Sequence, residues 1–189
     1  MSNKYTKVSA EAFKNIQLET GVLLNSFDPS NPGTVADSNI VCATTGGIKP
    51  SIVPNYEDYG ADIDNCPENT MELKRLRDFT CKLAFTSVEA TPEVIRLGIG
   101  AATVDGGHVT PAAELSNTHF KDIWWVGDKA DGGFAAICLK NALSTGGLTV
   151  NATKNGKGKF DIELTGHYSL TDITAVPMDF YVIDAGAGE

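Results

Sequence analysis

Apolar and polar residues alternate most regularly between Arg77 and Val88. Phe79, Cys81, Leu83 and Phe85 fall on one side, and Thr80, Lys82, Ala84 and Thr86 on the other. That period of two is what a strand with one buried face requires. It returns where Leu148, Val150 and Ala152 alternate with Thr149, Asn151 and Thr153, and again where Phe160, Ile162 and Leu164 alternate with Asp161, Glu163 and Thr165. Between these last two runs, Asn155-Gly156-Lys157-Gly158 reads as a hairpin turn. Residues 134–139 are apolar at every position, as in a strand covered on both faces. Residues 121–126 predict a strand with Trp124 and Trp125 on opposite faces, one for the core and one for another surface, a subunit contact among the options. Residues 39–45, ended by Gly46-Gly47, and residues 179–183 predict further strands.

The period changes at Thr91-Pro92-Glu93, which combines a capping residue, a proline at the first helical position and an acid in the first turn. Val94, Ile95, Leu97 and Ile99 supply the apolar side, while Gly98 and Gly100 limit the helix to about two or three turns. A shorter helix is expected over residues 9–16, capped by Ser9. Residues 49–70 contain Pro50, Pro54, Gly60 and Pro67 with five acids and show no periodicity, which predicts a long loop. Tyr56, Tyr59 and Ile63 are interleaved with those acids, a mixture suited to docking on a partner. The expected fold is therefore mainly β: a single domain over 1–189, a β-sandwich or barrel of about seven to nine short strands with one flanking α-helix. Residues 1–37 form an N-terminal arm, 49–70 the long loop and 184–189 a flexible tail.

Composition narrows the function. The 189 residues hold 15 basic and 24 acidic side chains, a net charge of -9. Binding a phosphate backbone needs Lys and Arg to displace counterions, so a sequence-reading nucleic-acid binder is not expected. The four cysteines, Cys42, Cys66, Cys81 and Cys138, include no CxxC pair and predict neither a zinc site nor a redox motif, only reduced thiols acting as small hydrophobes. The first residues lack the apolar segment of a secretory signal, and no apolar run reaches the ~20 residues of a membrane-spanning helix.

Three chemical motifs are incomplete. Leu97-Gly98-Ile99-Gly100-Ala101-Ala102-Thr103 resembles part of a dinucleotide loop, but Thr103 replaces the third glycine and the preceding segment starts a helix. Asp58, Asp62 and Asp64 are the residues from which a hard-cation site would be built, yet Gly60 precedes the second acid, against the EF-hand order. His108, His119 and His167 are isolated, with no G-x-S-x-G elbow or H-E-x-x-H helix. The expectation is a protein that is not an enzyme, with no catalytic residue, cofactor or metal.

Several segments taken in order, however, resemble the major tail tube proteins of long-tailed phages and related prophage particles. They are residues 8–13 (VSAEAF), 43–48 (ATTGGI), 58–67 (DYGADIDNCP), 120–128 (FKDIWWVGD), 141–147 (NALSTGG) and 166–169 (GHYS). The resemblance spans most of the chain. It implies six subunits in a ring, strands from all six closing an inner β-barrel, and rings stacked into a negatively lined conduit for DNA ejection. It further implies that the 49–70 loop, with Tyr56, Glu57, Asp58, Tyr59, Asp62 and Asp64, reaches the next ring. The partners implied are other copies of the chain and the tape measure, tail terminator and baseplate proteins, with DNA only in transit and no membrane. The setting implied is a virion tail assembled in the host bacterial cytoplasm. Asp161 and Glu163, on the polar side of an alternating strand, are the residues expected to face the lumen, with outward solvent as the other option. The competing readings are a monomeric β-sandwich module that binds carbohydrate or a host surface through Trp124 and Trp125, and a small enzyme built on the broken glycine motif.

Overall fold

A computed structural model describes residues 8–185. The elements run in the order β1 (Val22–Leu24), β2 (Thr44–Asp58), β3 (Lys74–Ser87), α1 (Pro92–Ile99), β4 (Ala102–Asp105), β5 (His108–Pro111), β6 (Lys121–Asp128), β7 (Phe134–Asn151), β8 (Lys159–Thr165) and β9 (Met178–Ile183). The fold is mainly β, as the alternation predicts. All strand pairing is antiparallel.

The architecture turns on β7. Its first half pairs with β6 on one side and β9 on the other, and β1 extends β6, giving one four-stranded layer. Its second half pairs with β8, which pairs with β3, which pairs with β2, giving a second layer. One strand thus belongs to both sheets. The bend between its halves is placed at Asn141, whose φ of 47° lies in the left-handed region that asparagine tolerates. The Asp122 side chain fastens the bend by accepting from the Asn141 N–H at 2.8 Å. The core lies between the layers: Leu23 from β1, Cys81, Leu83 and Phe85 from β3, Ile137 and Leu139 from β7, and Ile162 and Leu164 from β8.

Helix α1 covers the end of this core. Thr91 caps it by accepting from the Val94 N–H at 3.2 Å, and Val94 and Leu97 are buried. Gly98 faces β7 and β8 so closely that a Cβ there would lie 2.6 Å from Leu148 Cδ1 and 3.3 Å from Ile162 Cγ1. The glycine pair that resembles a dinucleotide loop is therefore a helix packed on a sheet and then ended, with no room for a phosphate at Gly98.

Five expectations are corrected. Residues 49–58 are not loop but the greater part of β2, because β2 is an edge strand. Pro50 and Pro54, four residues apart, point the same way, and on an edge that way faces the open side where no N–H is needed. Residues 9–16 form successive turns closed by Ser9–Ala12, Ala12–Asn15 and Phe13–Ile16 backbone bonds, not an α-helix; the segment buries no face that would hold a helix together. Residues 134–139 and 148–151 are one strand, since Gly146-Gly147 makes a bulge in it and does not end it. Residues 39–45 are not one strand: β2 begins at Thr44 and runs through Gly46-Gly47, which forms a second bulge.

The 1–37 segment is not wholly an arm. From Ile16 onward it is docked: Ala130 N–H donates to Ile16, Leu18 N–H to Asp128, and Leu23 and Leu24 are buried. Residues 1–7, and 186–189 of the expected tail, lie outside the described residues.

The C-terminal strand is held against the β6–β7 connection. Lys129 is buried there with its ammonium group on Asp184 and, at 3.3 Å, on Asp131. These acceptors, Asp184 foremost, hold its pKa above the usual lysine range. Beside it, a Cβ on Gly133 would lie 2.1 Å from the Ile183 carbonyl oxygen. Gly133→Ala is expected to push β9 off β7 and cost about 1–3 kcal/mol, as overpacking against backbone does. Chemical denaturation measures it, and a loss below about 0.5 kcal/mol contradicts the packing described.

Candidate assembly surfaces

The β2–β3 hairpin is longer than the sheet it belongs to. Strand β8 meets β3 only from Lys82 to Ser87. Beyond that point β2 and β3 continue as a two-stranded ribbon, from Val53/Thr80 to Asp58/Lys74. At ~3.3 Å per residue the six β2 residues of this ribbon project roughly 20 Å. Where β3 leaves β8, the Phe79 N–H finds a substitute partner in the Tyr168 hydroxyl at 2.9 Å. The ribbon is locked by Asn55, whose side-chain amide donates to Asp78 and, at 3.0 Å, to the Thr80 hydroxyl.

At the end of the ribbon, residues 59–70 form a compact tip. Asp58 organises it: one carboxylate oxygen accepts from Gly60 N–H at 3.0 Å and the other from Asn69 N–H at 2.9 Å. The chain continues through turns from Gly60 to Ile63 and from Ile63 to Cys66, and the Thr70 hydroxyl donates to the Pro67 carbonyl at 2.7 Å. Tyr59 O–H donates to Glu57 at 3.2 Å. The structure thus brings Tyr56, Glu57, Asp58, Tyr59, Asp62 and Asp64 together at one extremity. Among the described residues, no three His, Cys, Asp or Glu side chains converge in a metal-holding arrangement.

The bonds from Gly60 and Asn69 lower the Asp58 pKa below the usual carboxylate value. A depressed folded pKa means that the ionised form holds the tip. Its contribution is complete above the unfolded value of roughly 4 and is lost as pH falls through the lower folded value. The Gly60 and Asn69 amides are therefore expected to be protected from exchange at pH 5 and to open only as pH falls below the unfolded value of roughly 4 and through the lower folded one. NMR-detected exchange measures this, and Asp58→Ala is expected to open both amides at every pH. Protection that survives in Asp58→Ala contradicts the assignment.

The tip exposes apolar side chains that the sequence reading did not single out. Met71 is 79% exposed and Leu76 44%, beside Tyr56, Tyr59 and Ile63, which are each about half exposed. Tyrosine and methionine over a charged surround is interface composition.

The second surface is the outer face of the β2–β3–β8–β7 layer. Registers place Lys49, Ala84 and Glu163 in one row, Thr86, Asp161 and Thr149 in the next, and Ser51, Lys82 and Thr165 in a third. Asp161 and Glu163 do turn away from the core; Glu163 is ion-paired, whereas Asp161 has a hydroxyl partner that leaves its charge uncompensated. Lys82 Nζ lies 2.7 Å from Glu163, and the Thr86 hydroxyl donates to Asp161. The face is hydroxyl-rich and nearly charge-balanced. Part of the acid surplus is at the hairpin tip, where Glu57, Asp58, Asp62, Asp64, Glu68 and Glu72 outnumber Lys74 and Arg75. Both lateral edges of this layer are open among the described residues: β2 has no partner beyond β3, and residues 143–151 of β7 none beyond β8.

The remaining candidates are occupied structurally. Trp125 borders the core, its indole N–H donating to the Thr20 carbonyl at 2.8 Å. Trp124 lies on the opposite face, closed over by Phe27 at 5.6 Å and Tyr181 at 5.7 Å between ring centroids. His119 Nδ1 accepts from Ser116 N–H at 2.9 Å and His167 Nδ1 lies 3.1 Å from the Asn141 carbonyl, while His108 is exposed beside the β4–β5 turn. Cys42, Cys81 and Cys138 are buried free thiols. Burial pushes the Cys81 pKa up to about 11; burial, then Asp122 and Asp179, push that of Cys138 to about 12. No described helix is long and apolar enough to cross a membrane.

No family model and no curated protein matches the sequence. Among solved structures, the chain is similar to a chain from the virion of a native gene transfer agent particle, with a TM-score of 0.44 and 8% identity over 86% of this chain and 95% of that one. That distance carries no role across.

Proposed function

We propose that the chain is a structural subunit of a phage-type particle whose copies join side by side into rings, the rings stacking into a tail tube through which DNA passes. The observation that carries this reading is a four-stranded layer open at both lateral edges, with a polar outer face and a ribbon projecting beyond it. An edge on each side lets one copy's β7 meet the next copy's β2 in a head-to-tail contact, and repeated rotation closes it. Closure removes exposed strand edges that would otherwise aggregate. The number six and the DNA cargo come from the sequence resemblance to tail tube proteins.

In a closed ring the outer face of this layer lines the bore, and Asp161 and Glu163 face the lumen. Transit needs a surface that does not hold phosphate; Lys82 is paired with Glu163, and the exposed Lys49 of the same face is left to meet the DNA backbone. The tip, with Tyr56, Tyr59, Ile63 and Met71, meets the adjacent ring. Tape measure, terminator and baseplate proteins are the partners this reading supplies, and the role needs no catalysis. A monomeric saccharide-binding module needs an open aromatic platform, and Trp124 is covered by its own chain.

Electron microscopy of the purified, concentrated protein in negative stain tests the reading. Rings or tubes with a central hole are expected. A protein that sediments as a monomer at every concentration, with and without a tail-tip initiator complex, contradicts it.

A further inference from the structure

The open edge of β2 is not uniform. Between Ile48 and Asn55 the β2–β3 register is unbroken, with Lys49, Ser51 and Val53 opposite Ala84, Lys82 and Thr80. Pro50 and Pro54 lie at the alternate positions, so neither removes a bond to β3. Both instead remove a donor from the open side. Over residues 48–54 that side presents the carbonyls of Ile48, Pro50, Ile52 and Pro54 but only the N–H groups of Ile48 and Ile52. The strand is otherwise a hazard: it has 15 residues, and Ile52 and Val53 are 37% and 52% exposed. A long apolar edge of this kind is a template for strand addition.

We infer that Pro50 and Pro54 guard this edge, keeping free subunits from adding to one another strand by strand until contacts elsewhere in a ring compensate for the missing bonds. The partner held off is a second copy of this chain, and the inference rests on the assembly reading above. The edge can accept fully from a neighbour's strand but can return only half of the bonds. Pairing there is thus weak when it stands alone and sufficient when the other side-by-side contacts of a ring are also made.

The test is the double variant P50T/P54T, which restores both donors with a residue that favours strands. Sedimentation velocity over a concentration series is expected to show association beginning at a concentration about tenfold lower or more than for the native chain. Tenfold is about 1.4 kcal/mol, the order of two added backbone hydrogen bonds. An unchanged onset, in a variant with the native circular dichroism spectrum and melting midpoint, overturns the inference. If the double variant misfolds, P50T and P54T taken singly are expected to shift the onset in the same direction, and no shift in either overturns it.

The native chain gives an independent reading. The Ile52 amide is expected to exchange at an unprotected rate in the free subunit; slow exchange would place it on the β3 side and overturn the inference. A native chain that never forms rings, beside a variant that associates, sinks the tube reading and leaves the guard standing. Rings from the native chain with no shift in the variant do the reverse.

Discussion

A chain in which an Asn-Gly turn replaces residues 56–77 is expected to fold as before and to form no tubes. The cut leaves Asn55 opposite Asp78, a cross-strand pair that a two-residue turn can join directly. What is removed lies beyond the last β3 residue that β8 touches and contributes nothing to the shared core. The loss includes the exposed Tyr56, Tyr59, Ile63, Met71 and Leu76 and the acidic group around them. Side-by-side contacts remain, so isolated rings are the most that the variant can make. Circular dichroism and thermal unfolding check the fold, and electron microscopy checks assembly. Tubes from the shortened chain remove the tip from the interface. Failure to fold makes the ribbon a structural element and not a docking device.

Leu164→Ala is expected to cost about 2–5 kcal/mol, the range for emptying a buried leucine site, and to lower the melting midpoint by about 5–15 °C for a chain of this length. Leu164 is fully buried on β8, with Leu83 of β3 on one side and Ser144 of β7 on the other. It sits where the strand shared by both layers enters the second one, so little can collapse into the space it leaves. Because β7 ties the layers together, unfolding is expected to remain a single transition, with far-ultraviolet and tryptophan signals changing together although both tryptophans lie on β6. A cost below about 1 kcal/mol, or two separated transitions, contradicts a single core.

The elements legible in the sequence are those that separate water from core. Strands β3 and β8 alternate because each has one face on Leu23, Ile137 and Leu139 and the other outward. Helix α1 was announced by its cap, since Thr91, Pro92 and Glu93 each satisfy a need of a helix start. The distal part of β2 was illegible for the opposite reason. Both faces of a projecting ribbon are wet, so nothing imposes alternation, and prolines that would forbid a central strand are tolerated on an edge. Strand β7 hid its continuity because Asn141 and Gly146-Gly147 read as breaks and serve as a bend and a bulge. The three residues of β1 are too few to show a period.

The β4–β5 hairpin carries a local signal in Gly106-Gly107, a two-residue turn between the strand-forming Thr103-Val104-Asp105 and His108-Val109-Thr110. Of the assembly surfaces, the tyrosines and acids of the tip were visible as an odd mixture in a turn-rich stretch. Met71 and Leu76 were not, since exposure of an apolar side chain is a property of the ribbon's reach. That Glu163 is paired with Lys82 could not be read from β8 alone, because the partner lies 81 residues away.

The most direct measurement is hydrogen–deuterium exchange on the free subunit and on the assembled particle, resolved by peptide. Protection is expected to rise on assembly in residues 143–151, the open edge of β7, and in residues 56–76 at the hairpin tip, while β9 and the β4–β5 hairpin stay as they were. An assembled particle in which those two segments exchange as fast as in the free chain would show that copies meet by some other surface.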